Sequence, residues 1–239
     1  MKDKPRGTNA PNARPVRSYR TRFRLDETPI SEGGIWVNGM KDGIDWTDVI
    51  TRNGVAYGGV SRPRMAERGV AQMAPGSSDA HPGDEYDDPT ALLTGTWGKN
   101  QHGKGKVFSR YQTDTCYQEV EIRLRSSMTP HSCTGYEVFW RCLKTEKAYA
   151  YIARWNGQVR DFTKLIQLYG PQYGVKHGDL VEATVVGNVI KGYINGVEVI
   201  SATDDTWSTG SPGIGFNYGV GDTNVDHGFT YFEVDTYEE

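Results

Sequence analysis

At 239 residues the chain has room for one large β domain or two small ones. Its net charge of −3 is too small to mark the whole molecule as a partner for nucleic acid or a membrane surface, and no stretch approaches the apolar length that spans a bilayer. Glycine (29 residues), tyrosine (14) and tryptophan (6) are plentiful, leucine is sparse, and neither a long apolar helical repeat nor an internal linker occurs. That composition predicts many short strands joined by turns in one all-β unit.

Residues 1–24 hold eight Lys or Arg, one Asp and three Pro, with no apolar core of a secretory signal. They read as a basic, flexible N-terminal arm, either a leader or a segment that docks on an acidic partner. Tyr19 to Leu25 alternates apolar and basic residues and has the pattern of an edge strand. Ile35-Trp36-Val37 is a short apolar run. After Trp46, DVITRNGVAYG reads as strand, Asn53-Gly54 turn and strand.

Residues 66–90 are a loop by their Pro-Gly and Ser punctuation. Asp84, Glu85, Asp87 and Asp88 make them the candidate metal site, for a structural calcium ion, although the spacing is not that of an EF-hand. A solvated acidic loop is the simpler reading. No cofactor is required by any motif in the chain.

Tyr117 to Arg125 is the cleanest alternating segment. Val120, Ile122 and Leu124 point one way, and Glu119, Glu121, Arg123 and Arg125 the other. In YEVFWRC, Tyr136, Val138 and Trp140 oppose Glu137, Phe139 and Arg141. In AYAYIARW, Tyr149, Tyr151 and Trp155 share one parity. Phe162 to Tyr169 reads as a strand or a single short helix. Cys133 and Cys142 could bridge a hairpin, which leaves Cys116 over, but buried or partly exposed free thiols are the commoner reading for three cysteines in this length.

Leu180 to Val186, Val189 to Ile194 and Val197 to Ser201 are three strands in succession, separated by Gly187-Asn188 and Asn195-Gly196. Asn-Gly is the strongest short hairpin signal, so an antiparallel meander is predicted here. FTYFEVDTY, near the C-terminus, is another alternating strand.

The run GDLVEATVVGNVIKGYINGVEV, followed by SPGIGF, resembles the closing strands of concanavalin A-like jelly rolls. That superfamily includes laminin G-like modules, legume-type lectins, small glycanases and polysaccharide lyases. GYEVFWRCLKTEKAYAYIARWNG is similar to its middle hairpin, where a curved sheet presents side chains to glycan. The resemblance implies a jelly-roll sandwich of two antiparallel sheets over residues 25–239, with the N-terminal segment beside the C-terminal strand. It also implies recognition of a carbohydrate polymer, with an extracellular or surface location favoured.

A sugar site needs aromatic faces and polar side chains together. Gln101, Arg123, Arg125, Trp140, Arg141, Tyr151, Arg154 and Trp155 are the candidate ligand-binding residues, although Trp and Tyr on strands are more often core. For a polysaccharide lyase, one of the arginines would neutralise a uronate while His102, His131, Tyr136 or Tyr149 moves the proton. The lyase strand motifs are absent, and Glu121 to Arg125 is only a partial echo of one. The Glu-x-Asp-x-x-Glu signature of the glucanases is absent too. Glu119 and Glu121 share their face with Arg123 and Arg125, which predicts depressed carboxylate pKa values and disfavours a general acid. No G-x-S-x-G, P-loop, HExxH or dinucleotide fingerprint occurs. Glycan recognition is therefore the leading expectation. A lyase or other glycan-processing enzyme of the same fold, or a structural or adhesion protein of a virion or cell surface, are the alternatives.

Overall fold

A computed structural model of the chain describes residues 14–39, 46–59, 88–129, 131–158, 160–217 and 224–238. The strands are β1 (Arg17–Thr21), β2 (Trp36–Asn38), β3 (Val49–Arg52), β4 (Val55–Gly58), β5 (Thr90–Leu93), β6 (Asn100–Ser109), β7 (Glu119–Thr129) and β8 (Ser132–Arg141). They continue as β9 (Tyr149–Gly157), β10 (Phe162–Tyr169), β11 (Leu180–Val186), β12 (Val189–Ile194), β13 (Val197–Thr203), β14 (Ser211–Asn217) and β15 (His227–Tyr237).

Two antiparallel sheets pack face to face. One runs β10-β9-β8-β7-β14-β5-β2, the other β13-β12-β11-β6-β15-β4-β3, with β1 added to β15. The predicted meander is present as β11, β12 and β13, each paired antiparallel to the next. Its second turn has both central residues left-handed, Asn195 at φ 51° and Gly196 at φ 78°, as the tight hairpin geometry demands. In the first turn only Gly187 is left-handed.

The core lies between the sheets. Val120, Ile122 and Leu124 of β7, with Tyr136, Val138 and Trp140 of β8, face Val181, Ala183 and Val185 of β11 and Phe229, Phe232 and Val234 of β15. Each buried aliphatic or aromatic side chain of this size contributes roughly 1.5–3 kcal/mol. The sheets approach closely over β6 and β12, where a Cβ on Gly103 would lie 2.7 Å from Ile122 Cγ2 and one on Gly192 would lie 2.8 Å from Val138 Cγ1 of the facing sheet. A register shift in β15 between Phe229 and Tyr231 lets both Phe229 and Phe232 face inward.

The N- and C-terminal segments meet as expected, with Arg17 opposite Thr236 and Thr21 opposite Phe232. β1, Arg17–Thr21, thus lies inside the segment expected to be a flexible arm up to residue 24; residues 1–13 lie outside the described residues. Phe162 to Tyr169 is a strand, not a helix. Cys116, Cys133 and Cys142 are buried free thiols, so the possible Cys133–Cys142 bridge is not formed. No helix among the described residues is long and apolar enough to cross a membrane.

Candidate functional site

The charged row foreseen on β7 lies on the outer face of the seven-stranded sheet, and it is buried. Arg123 is 0% exposed. Its Nη2 reaches Asp88 Oδ2 at 2.7 Å, Thr90 Oγ1 at 3.0 Å, Glu137 Oε1 at 3.2 Å and Glu121 Oε2 at 3.5 Å. Its Nε and Nη1 have no hydrogen-bond partner among the described residues, and the guanidinium carbon sits 5.2 Å from the Trp155 ring and 5.8 Å from the Trp46 ring. Space for this cluster comes from β14, because a Cβ on Gly215 would collide with Glu121 Oε2. Gly215 of SPGIGF, within β14, thus serves the outer face.

Three carboxylates share one cation here, so they cannot all be ionised at modest cost. Burial pushes Asp88 up to about 7 against the pull of Arg123. Burial, reinforced by the Glu137 and Asp88 charges, pushes Glu121 well above the usual carboxylate range. Next along the strand, Glu119 accepts hydrogen bonds from the Tyr149 hydroxyl and from Asn217 Nδ2, the latter at 2.7 Å. Its burial outweighs both bonds and pushes it to about 8. The depressed carboxylate pKa values expected from the neighbouring arginines are therefore corrected. Desolvation wins over the single guanidinium.

Asp88, Glu121 and Glu137 place oxygens within 4.8 Å of one another, a spacing that would admit a metal ion. The set does not fit one. All three carboxylates converge on the Arg123 guanidinium, and a divalent ion that seeks six to eight oxygens would be forced against that charge. Of the four residues expected to hold calcium, Asp84, Glu85 and Asp87 lie outside the described residues, and Asp88 belongs to the Arg123 cluster.

Beside the charged row runs an aromatic band across β8, β9 and β10. Phe139 stacks on Tyr151 with ring centres 4.6 Å apart, and Tyr149 meets both Phe139 and Tyr169 edge-on at 6.4 and 5.8 Å. Phe162 lies 5.2 Å from Trp155, which in turn meets Trp46 at 4.9 Å. Arg141 packs over Tyr117 and Tyr149, 5.2 and 5.7 Å from their centres, held there by bonds to the Cys116 and Lys147 carbonyls. The middle of the band is covered, but its flanks are open: Tyr117 is 53% exposed, Tyr169 60% and Phe162 39%. β10 is the edge strand, which is why its aromatics emerge.

The candidate residues divide between several places. Arg123, Arg141, Tyr149, Tyr151 and Trp155 share this outer face. Trp140 and Tyr136 do not, because they lie on the core side of β8. The Tyr136 hydroxyl bonds Asp204, which also pairs with Arg154 at 2.7 Å. Arg125 is turned off the row by a backbone irregularity. Its φ is 47°, the β7–β8 register shifts between Leu124 and Ser127, and its guanidinium binds the Lys99 and Trp207 carbonyls. Gln101 is buried on β6, bonded to the Gly98 and Gly210 carbonyls and to the Arg125 amide. His102 is on the other sheet, paired with Glu182 at 2.9 Å. His131 lies in the turn between β7 and β8. The lyase set of arginine, histidine and tyrosine is therefore not brought together. Tyr117, Phe162, Tyr169 and Phe139 escaped sequence reasoning as site residues.

No family model matches the sequence, and no curated protein matches it. Solved structures do match in fold. The carbohydrate-binding module CBM66 from Bacillus subtilis superposes with a TM-score of 0.52 at 12% identity, over 80% of this chain and 95% of that one. The Bacillus licheniformis β-glucanase gives 0.51 at 10% identity, over 92% and 98%. The carbohydrate recognition domain of Emp47p gives 0.50 at 9% identity, over 92% and 94%. The chain has the concanavalin A-like jelly-roll fold.

Proposed function

We propose that this chain is a glycan-recognising domain whose ligand docks along the open flank of the aromatic band. The observation that carries the reading is the set of exposed rings on a rigid backing. Tyr117 is supported by the Arg141 guanidinium, and Tyr169 by Tyr149, whose hydroxyl is fixed on Glu119. Exposed aromatic faces suit the C–H-rich faces of pyranose rings, and the adjoining polar groups suit their hydroxyls. Among the structural neighbours are a carbohydrate-binding module and a carbohydrate recognition domain, which supports a ligand of this class.

A processing enzyme of the same fold is favoured by one observation. Glu119 and Glu121 occupy alternate positions of β7, and Glu119, pushed to about 8, holds a proton near neutral pH as a general acid must. A panel of soluble polysaccharides, read by affinity electrophoresis and by release of reducing or unsaturated ends, separates the readings. Retention without turnover, lost in Tyr117→Ala and Tyr169→Ala, supports recognition at this flank. Turnover abolished by Glu119→Gln replaces it with catalysis. Retention unchanged in both tyrosine variants refutes the site, and no retention across the panel favours the structural or adhesion reading.

A further inference from the structure

On the opposite side of the molecule, β1 and the segment after it border an open groove of about 390 Å³, lined by Arg20, Thr21, Arg22, Arg24, Glu32 and Tyr231. That volume is in the range of ligand clefts. Arg20, Arg22 and Arg24 alternate in sequence with Thr21 and Phe23. Phe23 is fully buried at φ 51°, a left-handed conformation that costs an L-residue about 1–2 kcal/mol. The core anchors Phe23, and the arginines on either side of it are left at the surface.

The charge of the groove is not balanced from within. Its one carboxylate, Glu32, already accepts hydrogen bonds from the Tyr19 hydroxyl, the Thr21 hydroxyl and Trp36 Nε1. None of the three arginines forms an ion pair among the described residues. Glu233, opposite Arg20 across the β1–β15 pair, is taken by the Tyr231 hydroxyl and by Lys104 at 3.9 Å. Arg22 lies over the Tyr231 ring at 5.5 Å, so the groove offers an aromatic face beside its donors. Guanidinium forks match the oxygens of sulfate and carboxylate groups. The net charge of −3 is small for a nucleic-acid partner, and a single-stranded oligonucleotide serves as the competing ligand in the test.

We propose that the Arg20–Arg22–Arg24 groove is a second saccharide site, which takes sulfate or carboxylate groups of an acidic polysaccharide. It is independent of the aromatic flank and makes the sandwich two-sided in its recognition.

Binding of the full chain to dextran sulfate, polygalacturonate and neutral dextran tests this by titration calorimetry. The expected result is binding to at least one acidic polymer, weakened by added salt, with no binding to dextran. The triple variant Arg20→Ala, Arg22→Ala, Arg24→Ala should lose at least tenfold in affinity, while its thermal midpoint stays near that of the parent because the three side chains are exposed. Preference for dextran sulfate assigns the groove to sulfate, and preference for polygalacturonate assigns it to carboxylate. Neutralising the preceding residues instead, with Lys2→Ser, Lys4→Ser and Arg6→Ser, should leave most of the affinity. Affinity that is lost in Tyr117→Ala but kept by the triple variant places the polymer on the aromatic flank and overturns the proposal. Undiminished binding by the triple variant, loss only in the Lys2/Lys4/Arg6 variant, equal binding to dextran, or tighter binding of a single-stranded oligonucleotide overturns the proposal.

Discussion

The unfolding free energy of this protein should fall as pH rises from 5 to 8, the reverse of ordinary acid denaturation. Glu119 titrates at 4.5 when unfolded and at about 8 in the fold, chiefly through burial and then against the Glu137 and Asp88 charges. Between those values the folded chain keeps a proton that the unfolded chain has lost. Each pH unit then removes about 1.4 kcal/mol, so the whole window is worth on the order of 5 kcal/mol. Asp88 at about 7 acts in the same direction. Asp204 acts oppositely, because its carboxyl is held below the usual range by bonds from Thr206 and Tyr136 and by Arg154; its stabilisation is lost only in more acid solution. Stability should therefore peak near pH 5. Urea unfolding followed by tryptophan fluorescence at unit pH steps measures the slope, and Glu119→Gln, which mimics the protonated acid, should flatten it by about one proton. A free energy that is constant or rising from pH 5 to 8 refutes the reasoning, and an unchanged slope in Glu119→Gln removes Glu119 from it.

Arg123→Met should destabilise by about 3–5 kcal/mol in the same assay, since Asp88, Glu121 and Glu137 lose their shared cation while buried. Gly215→Ala should cost about 1–3 kcal/mol by crowding Glu121 Oε2, and combining it with Glu121→Ala should recover part of that loss. Tyr169→Ala should weaken binding of a retained glycan roughly tenfold, about 1.4 kcal/mol by calorimetry, and leave the unfolding midpoint nearly unchanged because the ring is exposed.

Legibility in the sequence followed the locality of the cause. Asn195-Gly196 and the alternation of Val120, Ile122 and Leu124 are local, and β7 and the β11–β13 meander form as they predict. Arg125 broke the pattern because strict alternation assumes an unbroken ladder, and the irregularity after Leu124 answers to β8 pairing, which no nearby residue encodes. Trp140 shares parity with Val138, so its place in the core was visible, and only its aromatic face had suggested a platform. The carboxylate pKa values were misjudged because a strand pattern shows which charges are neighbours but not how much water reaches them. Tyr169 and Phe162 were hidden for the complementary reason. Their exposure depends on β10 being the sheet edge, which is a property of the whole topology.

The buried row and the open flank belong to one arrangement. A carboxylate in water would leave Tyr149 free to rotate, whereas Glu119, dry and fixed between the Tyr149 hydroxyl and Asn217, holds that ring in one orientation. Tyr149 in turn sets the edge against which Tyr169 stands, and shares Arg141 with Tyr117. Two exposed rings are thus positioned through a single buried hydrogen-bonded acid, and little ordering entropy remains to be lost when a ligand stacks on them. The same acid is the group whose ionisation makes the fold weaker toward pH 8, so the rigidity of the flank and the pH dependence of stability share one origin.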